Sequence, residues 1–270
     1  MENLLKVKRS YVLLIFLFLT FQFCFAKKNK LFVYKYEGSP KIEVNDSIKI
    51  VKKGTLLDKN TKLIMHREDV IYMVNDNGDV FKLFQTGTFK HNELLALKPI
   101  ATNSYFAKTF SLYIWKEITN TSVVRRDKSG VVYRGDDIVL MRYPADSIKV
   151  YSNEIRFEWN TIPNKEKDYY FVLRNKETKA ITTIGTPVNT ISLMIDGTLL
   201  QQGHDYEWAI TETRFPNMDK TTFYSFHILS KDEFKNVKKD IALISTDLKN
   251  MGFTRSEIKA VICQDYKICY

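Results

Sequence analysis

The sequence predicts a mainly β fold: two β-domains, a connecting helix between them, and a C-terminal helical pair. Three observations predict it. Short apolar stretches rich in β-branched and aromatic residues, punctuated by Asn, Asp, Gly and Pro, recur from Leu31 to Phe84 and again from Ile155 to Leu229. Only two regions, one between the two series and one after the second, switch to helical spacing. The composition is globular, with 44% hydrophobic and 27% charged residues among 270, and with 10 Gly and 6 Pro it is neither disordered nor collagen-like. This length suits about two domains, each large enough for its own core.

The chain opens with Lys6, Lys8 and Arg9, the apolar run Val12 to Leu19, and then Thr20-Phe21-Gln22-Phe23-Cys24-Phe25-Ala26. A basic start, a short apolar core and a small final residue make a secretory signal peptide over residues 1–26, cleaved between Ala26 and Lys27. A membrane span needs about 20 apolar residues, more than this run supplies before Lys27 and Lys28. An uncleaved signal anchor stays open as the alternative. Lipoprotein processing at Cys24 is disfavoured by the bulky Phe23 before it. Cleavage removes Cys24 and leaves Cys263 and Cys269, which in an oxidising compartment form either a small terminal disulfide loop or two unpaired thiols.

In residues 27–145 the expected strands are Leu31 to Tyr36, Lys41 to Val44, Ile48 to Val51, Leu63 to Met65, Val70 to Val74 and Val80 to Phe84. Asn75-Asp76-Asn77-Gly78-Asp79 lies between the last two, and Asn77-Gly78 offers positive φ for a tight hairpin. A calcium loop does not fit here, because Met73 stands where an oxygen ligand is wanted and the closing Glu is missing. Thr102-Asn103-Ser104 supplies capping oxygens before a helix from Tyr105 to Ile118, whose Phe106, Phe110, Tyr113 and Ile114 share one face. That stripe is expected to face the core rather than a ligand groove. Lys53-Gly54-Thr55-Leu56, Val70 to Val74, Asn77-Gly78 and Val80 to Leu83 together resemble the FecR-like β-domain of bacterial envelope proteins. Only eleven residues precede the apolar run, so the anti-sigma role of sigma-regulator members is not expected.

Residues 146–230 carry Ile155 to Trp159, Tyr169 to Arg174, Ala180 to Ile184, Thr190 to Ile195, Asp205 to Ile210 and Phe223 to Leu229, a spacing that predicts a sandwich. Large residues alternate with Glu in Phe157-Glu158-Trp159 and Tyr206-Glu207-Trp208, as expected of strands with one buried face. Trp159 and the approach Leu200 to Tyr206 resemble the early core Trp and late-strand Tyr of fibronectin type III and other Ig-like modules. In residues 231–270, Ser230-Lys231-Asp232-Glu233 opens a helix with the stripe Phe234, Val237, Ile241, Ile244 and Leu248. Gly252 ends it, and Thr254-Arg255-Ser256-Glu257 opens a second helix through Ile258, Val261 and Ile262. This pair is expected to dock on the sandwich, with an adaptor role for a partner as the other option.

No catalytic, cofactor-binding or metal-ligating set emerges. His66, His91, His204 and His227 have no ligand-spaced neighbours, and there is no nucleophile elbow, Walker loop or dinucleotide fingerprint. Arg134-Gly135-Asp136 spells an adhesive tripeptide, but it and the acid pair Asp136-Asp137 read as a polar linker and turn. The net charge of +10 is spread along the chain, and export removes most nucleic-acid partners. Anionic lipid head groups or polyanionic envelope glycans suit that charge better, including the runs Lys27 to Lys30 and Lys235 to Lys239. The whole resembles exported Bacteroidota proteins. The expected function is a noncatalytic envelope protein, periplasmic or envelope-associated, that binds or scaffolds through protein or glycan contacts, with no cofactor and an open oligomeric state. The alternative is a hydrolase of cell-wall or extracellular glycan, which needs two facing carboxylates about 5 to 9 Å apart.

Overall fold

The computed structural model describes residues 30–119, 141–160 and 168–270. The expected signal segment with Cys24, Ala26 and Lys27, the Arg134-Gly135-Asp136 tripeptide and the Asp136-Asp137 pair lie outside them. The fold is mainly β, with antiparallel sheets, the largest of which also contains the parallel strand Ile148–Val150, and a C-terminal helical pair.

The first unit contains β1 (Leu31–Glu37), β2 (Lys41–Val44), β3 (Ser47–Ile50), β4 (Leu56–Leu57), β5 (Thr61–Met65), β6 (Val70–Asn75), β7 (Val80–Leu83) and β8 (Gly87–Lys90). They form two four-stranded sheets, β4-β1-β6-β7 and β3-β2-β5-β8, which share a core of Leu31, Val33, Ile42, Leu63, Met65, Ile71, Met73 and Leu83. The short helix α1 (His91–Leu95) adds Leu94 to that core. The apolar run in β6 is buried on both faces. Ile71 and Met73 enter the core between the sheets, while Tyr72 and Val74, one residue out of phase, face a second cluster. In the β6–β7 turn the Asn75 side chain accepts from the backbone of Asn77 and Asp79, and Gly78 supplies the positive φ of 77°.

Helix α2 (Tyr105–Thr119) lies over that outer face. It can approach because Gly78 has no side chain: a Cβ there would sit 2.7 Å from Leu112, and the Ser111 hydroxyl donates to the Gly78 carbonyl at 2.6 Å.

The second unit contains β9 (Met141–Tyr143), β10 (Ile148–Val150), β11 (Glu154–Trp159), β12 (Tyr169–Asn175), β13 (Ile181–Thr186), β14 (Thr190–Met194), β15 (Asp205–Thr211) and β16 (Tyr224–Ile228). A three-stranded sheet, β14-β11-β9, packs on a larger one that begins β13-β12-β15-β16-β10. Phe157 is the hub of the core between them, with edge-on ring contacts to Phe171 at 4.7 Å, Trp208 at 5.2 Å and Phe226 at 5.6 Å. Because β9 pairs with β11, residues 141–143 belong to the sandwich rather than to the linker expected up to residue 145.

The C-terminal segment joins the two units. Helices α3 (Lys231–Asn250) and α4 (Arg255–Gln264) each begin with a reciprocal capping box, Ser230 with Glu233 and Thr254 with Glu257. The stripe Ile241, Ile244 and Leu248 and the α4 residues Ile258 and Ile262 pack with Tyr34, Tyr72, Val74 and Val80 of the first unit. At the other end, Tyr151 of the second unit stacks on Phe234 at 3.9 Å, and β17 (Ile268–Cys269) adds to the large sheet parallel to β10. The helical pair therefore sits at the junction of both units, which corrects the expectation that it docks on the sandwich. Its apolar stripe is complementary to the outer face of β6, which would otherwise be wet.

Two polar contacts fix this docking. The buried Tyr34 hydroxyl donates to the Met251 carbonyl at 2.6 Å. The Asp247 carboxylate, fully buried, accepts from the backbone N–H groups of Asn103 at 2.9 Å and Ser104 at 2.7 Å, so α3 caps the start of α2. A buried carboxylate is tolerated there because the orphan N–H groups and the positive end of α2 replace its lost hydration. Between the helices, Gly252 adopts φ 90°, and a Cβ on it would lie 2.5 Å from the Tyr72 ring.

Two substitutions test this junction by chemical denaturation. Gly252→Ala is expected to destabilise the chain by about 1–3 kcal/mol through backbone strain, with the Tyr72 contact adding to it. Asp247→Ala is expected to cost about 1–3 kcal/mol by orphaning two N–H groups.

Candidate functional site

A groove of about 480 Å³ opens where β1, α2 and the start of α4 converge. The α2 residues Phe110, Tyr113, Ile114, Glu117 and Ile118 follow helical spacing and form one wall. The opposite wall is Tyr34, Lys35 and Tyr36 of β1. Three consecutive strand residues would normally alternate between faces. The register between β1 and β6 shifts between Val33 and Lys35, and this bulge puts Lys35, paired with Tyr72, on the same face as Tyr34, while Tyr36 beyond it also reaches the groove. Phe253 and Glu257 close one end, and Lys53 from the loop before β4 contributes at the rim.

Rings dominate the interior. Phe253 stacks on Tyr34 at 6.2 Å and meets Phe110 edge-on at 5.7 Å. Lys35 holds its ammonium 5.5 Å from the centre of the Phe253 ring and donates to Glu257 at 2.6 Å. The Glu257 carboxylate also accepts from the Thr254 backbone at 2.7 Å as part of the α4 capping box. The Lys35 ammonium and the Thr254 N–H together pull its pKa down from the ordinary 4.5 to about 2. Burial pushes the Tyr34 hydroxyl well above its usual range, so it remains a donor to Met251. The groove thus has aromatic walls and a rim carrying both signs of charge, with a volume typical of small-ligand sites.

The Phe106, Phe110, Tyr113 and Ile114 stripe of α2, expected to face the core, does two jobs. Phe106, Phe110 and Ile114 pack on the junction cluster, while Phe110, Tyr113 and Ile114 also line the groove. Lys35, Tyr36, Phe253 and Glu257 were not singled out as ligand contacts, since they come from segments far apart in the chain. Their only local signal is the capping box that contains Glu257.

Cys263 of α4 and Cys269 of β17 are joined by a disulfide, their Cα atoms 4.3 Å apart, which tethers the last strand to the last helix. Among the histidines, His227 lies between Asp205 at 3.0 Å and Glu233 at 3.1 Å, linking β16 to β15 and to the start of α3. Glu233 is itself held at about 2, chiefly by the backbone and hydroxyl of Ser230. Among the described residues no cluster of three or more His, Cys, Asp or Glu could hold a metal ion. No described helix is long and apolar enough to cross a membrane.

No family model matches the chain, and no curated protein matches it. Among solved structures, it is similar to the extracellular domain of a hybrid two-component system from B. thetaiotaomicron, with 10% identity and a TM-score of 0.26. The alignment covers 72% of this chain and 29% of that one.

The Lys35–Glu257 pair predicts a pH response. Because the folded pKa of Glu257 is depressed, its contribution is full above pH 4.5 and is lost as the pH falls toward about 2. The pair is partly exposed, so the contribution is about 0.5–1 kcal/mol. Thermal melts of wild type and Glu257→Gln should differ at pH 7 and converge toward pH 2 to 3.

Proposed function

We propose that this chain is a noncatalytic exported envelope protein that binds a protein or glycan partner in the aromatic groove between its first β-unit and the C-terminal helices. The groove carries this reading. Its aromatic walls supply contact area at low entropic cost, and Lys35, Lys53, Glu117 and Glu257 give its rim both donors and acceptors. Cleavage between Ala26 and Lys27 would release the chain from its signal. The Cys263–Cys269 disulfide is in keeping with an oxidising compartment.

The strand order supports an Ig-like reading of the second unit, with β14-β11-β9 facing β13-β12-β15-β16. The Tyr206 hydroxyl accepts from the Gln201 backbone at 2.8 Å, a link of the kind that anchors the late-strand Tyr in such sandwiches. The FecR-like reading of the first unit rests on residues 53–83 alone.

A glycan hydrolase is the rival. Two carboxylates, Glu117 and Glu257, do line the groove, but a general acid needs a raised pKa and Glu257 is held at about 2. Its oxygens are engaged by Lys35 and Thr254, which favours a positioning role over proton donation.

The test combines cell fractionation and mass spectrometry of the tagged protein with photo-crosslinking from the groove. The expected results are a mature N-terminus at Lys27 and an envelope partner whose capture falls about tenfold in Tyr36→Ala, the loss of one aromatic anchor. A cytoplasmic protein retaining Met1 would overturn the export reading. Capture that is undiminished in Tyr36→Ala would overturn the groove.

A further inference from the structure

The sheet edges of this chain fall into two kinds. β4 and β17 are two residues long, and β3, β7, β8 and β9 carry Lys49, Lys82, Lys90 and Arg142 respectively. Shortness and edge charge are the usual protections against pairing with another strand. The remaining edges, β13 and β14, have neither. β13 is six residues, Ile-Thr-Thr-Ile-Gly-Thr, and β14 is five, Thr-Ile-Ser-Leu-Met. In a chain that is 27% charged, no Asp, Glu, Lys or Arg occurs between Lys179 and Asp196.

These two edges lie on the same flank, because the short connector 187–189 carries the chain from one sheet to the other. Among the described residues β13 pairs only with β12 and β14 only with β11, so each has one side of its backbone unpaired by any described strand. Ile184, Ile191 and Leu193 point into the sandwich core, while Ile181, Val188 and Met194 are 51%, 53% and 56% exposed along the flank.

We infer that this flank pairs with a second copy of the chain, β13 running antiparallel to its counterpart across a two-fold axis and continuing the large sheet from one copy into the other. Charge decides the occupant. Apart from its flank neighbour β14, any other edge of more than two residues would set Lys or Arg close to Lys or Arg on self-pairing, whereas β13, the longer of the two uncharged edges, opposes only Ile, Thr and Gly to themselves. A partner of opposite charge would find nothing on this edge to select it. With a net charge of +10 on each copy, association is opposed by long-range repulsion and so strengthens as salt screens it, the reverse of a salt-bridged interface. A single strand pair is a small interface, which places the dimer at the weak end of specific association.

Sedimentation velocity of the purified chain over a concentration series, in about 0.05 M and about 0.5 M NaCl, reads this directly. The expected result is a monomer–dimer equilibrium that tightens several-fold in the higher salt. Thr183→Lys, on the exposed outer face of β13, is expected to weaken it about tenfold with unchanged near-ultraviolet circular dichroism. Ile181→Lys on the same face supplies a second variant should the first misfold. A chain that stays monomeric throughout, a dimer that loosens with salt, or a dimer indifferent to both lysines would overturn the inference.

Discussion

The outer face of strand β6 has to be covered, and the rest of the structure follows from how that is done. Tyr72 and Val74 face away from the core that the two sheets of the first unit build between them, so this unit is incomplete by itself. Helix α2 covers part of the face, and the remainder is covered by α3 and α4 from the far end of the chain. The same C-terminal segment then ends as β17 in the large sheet of the second unit. Completing one unit ties it to the other.

Charged groups near the junction serve this tie before anything else. Asp247 caps α2 from α3, Glu233 caps α3 while meeting His227 of the sandwich, and Glu257 caps α4 while holding Lys35 of β1. Each carboxylate satisfies a helix N-terminus and a neighbouring element at once, which is why depressed pKa values appear at Glu233 and Glu257. The groove is a consequence of the same packing. It is the part of the β1–α2–α4 contact that the apolar residues do not fill, and the bulge in β1 turns both Tyr34 and Lys35 toward it.

Much of this was legible from local pattern, and the losses have identifiable causes. The alternation in β11 and β15, the Asn75 to Asp79 hairpin and both C-terminal capping boxes are local signals, and the elements stand where those signals put them. The strands β4, β9, β10 and β17 are two or three residues long and exist only because a distant partner pairs with them, so no window of sequence contains their cause. The helical pair's stripe was legible, but its target was not, since burial of β6 on two faces looks in sequence like any apolar strand. The groove was hidden for a similar reason: its lining comes from residues 34–36, 53, 110–118, 253 and 257, and a β-bulge leaves no mark in the apolar pattern.

The central claim is that the C-terminal segment makes the two β-units one cooperative body, and native-state hydrogen exchange in increasing urea tests it most directly. Amides of β6, of α3 and of β15 should then share one opening free energy, equal to that of global unfolding, because β6 cannot be uncovered without releasing the segment that also supplies β17. A lower, separate opening of β6 and α3 with β15 still protected would contradict it, leaving two units that merely touch.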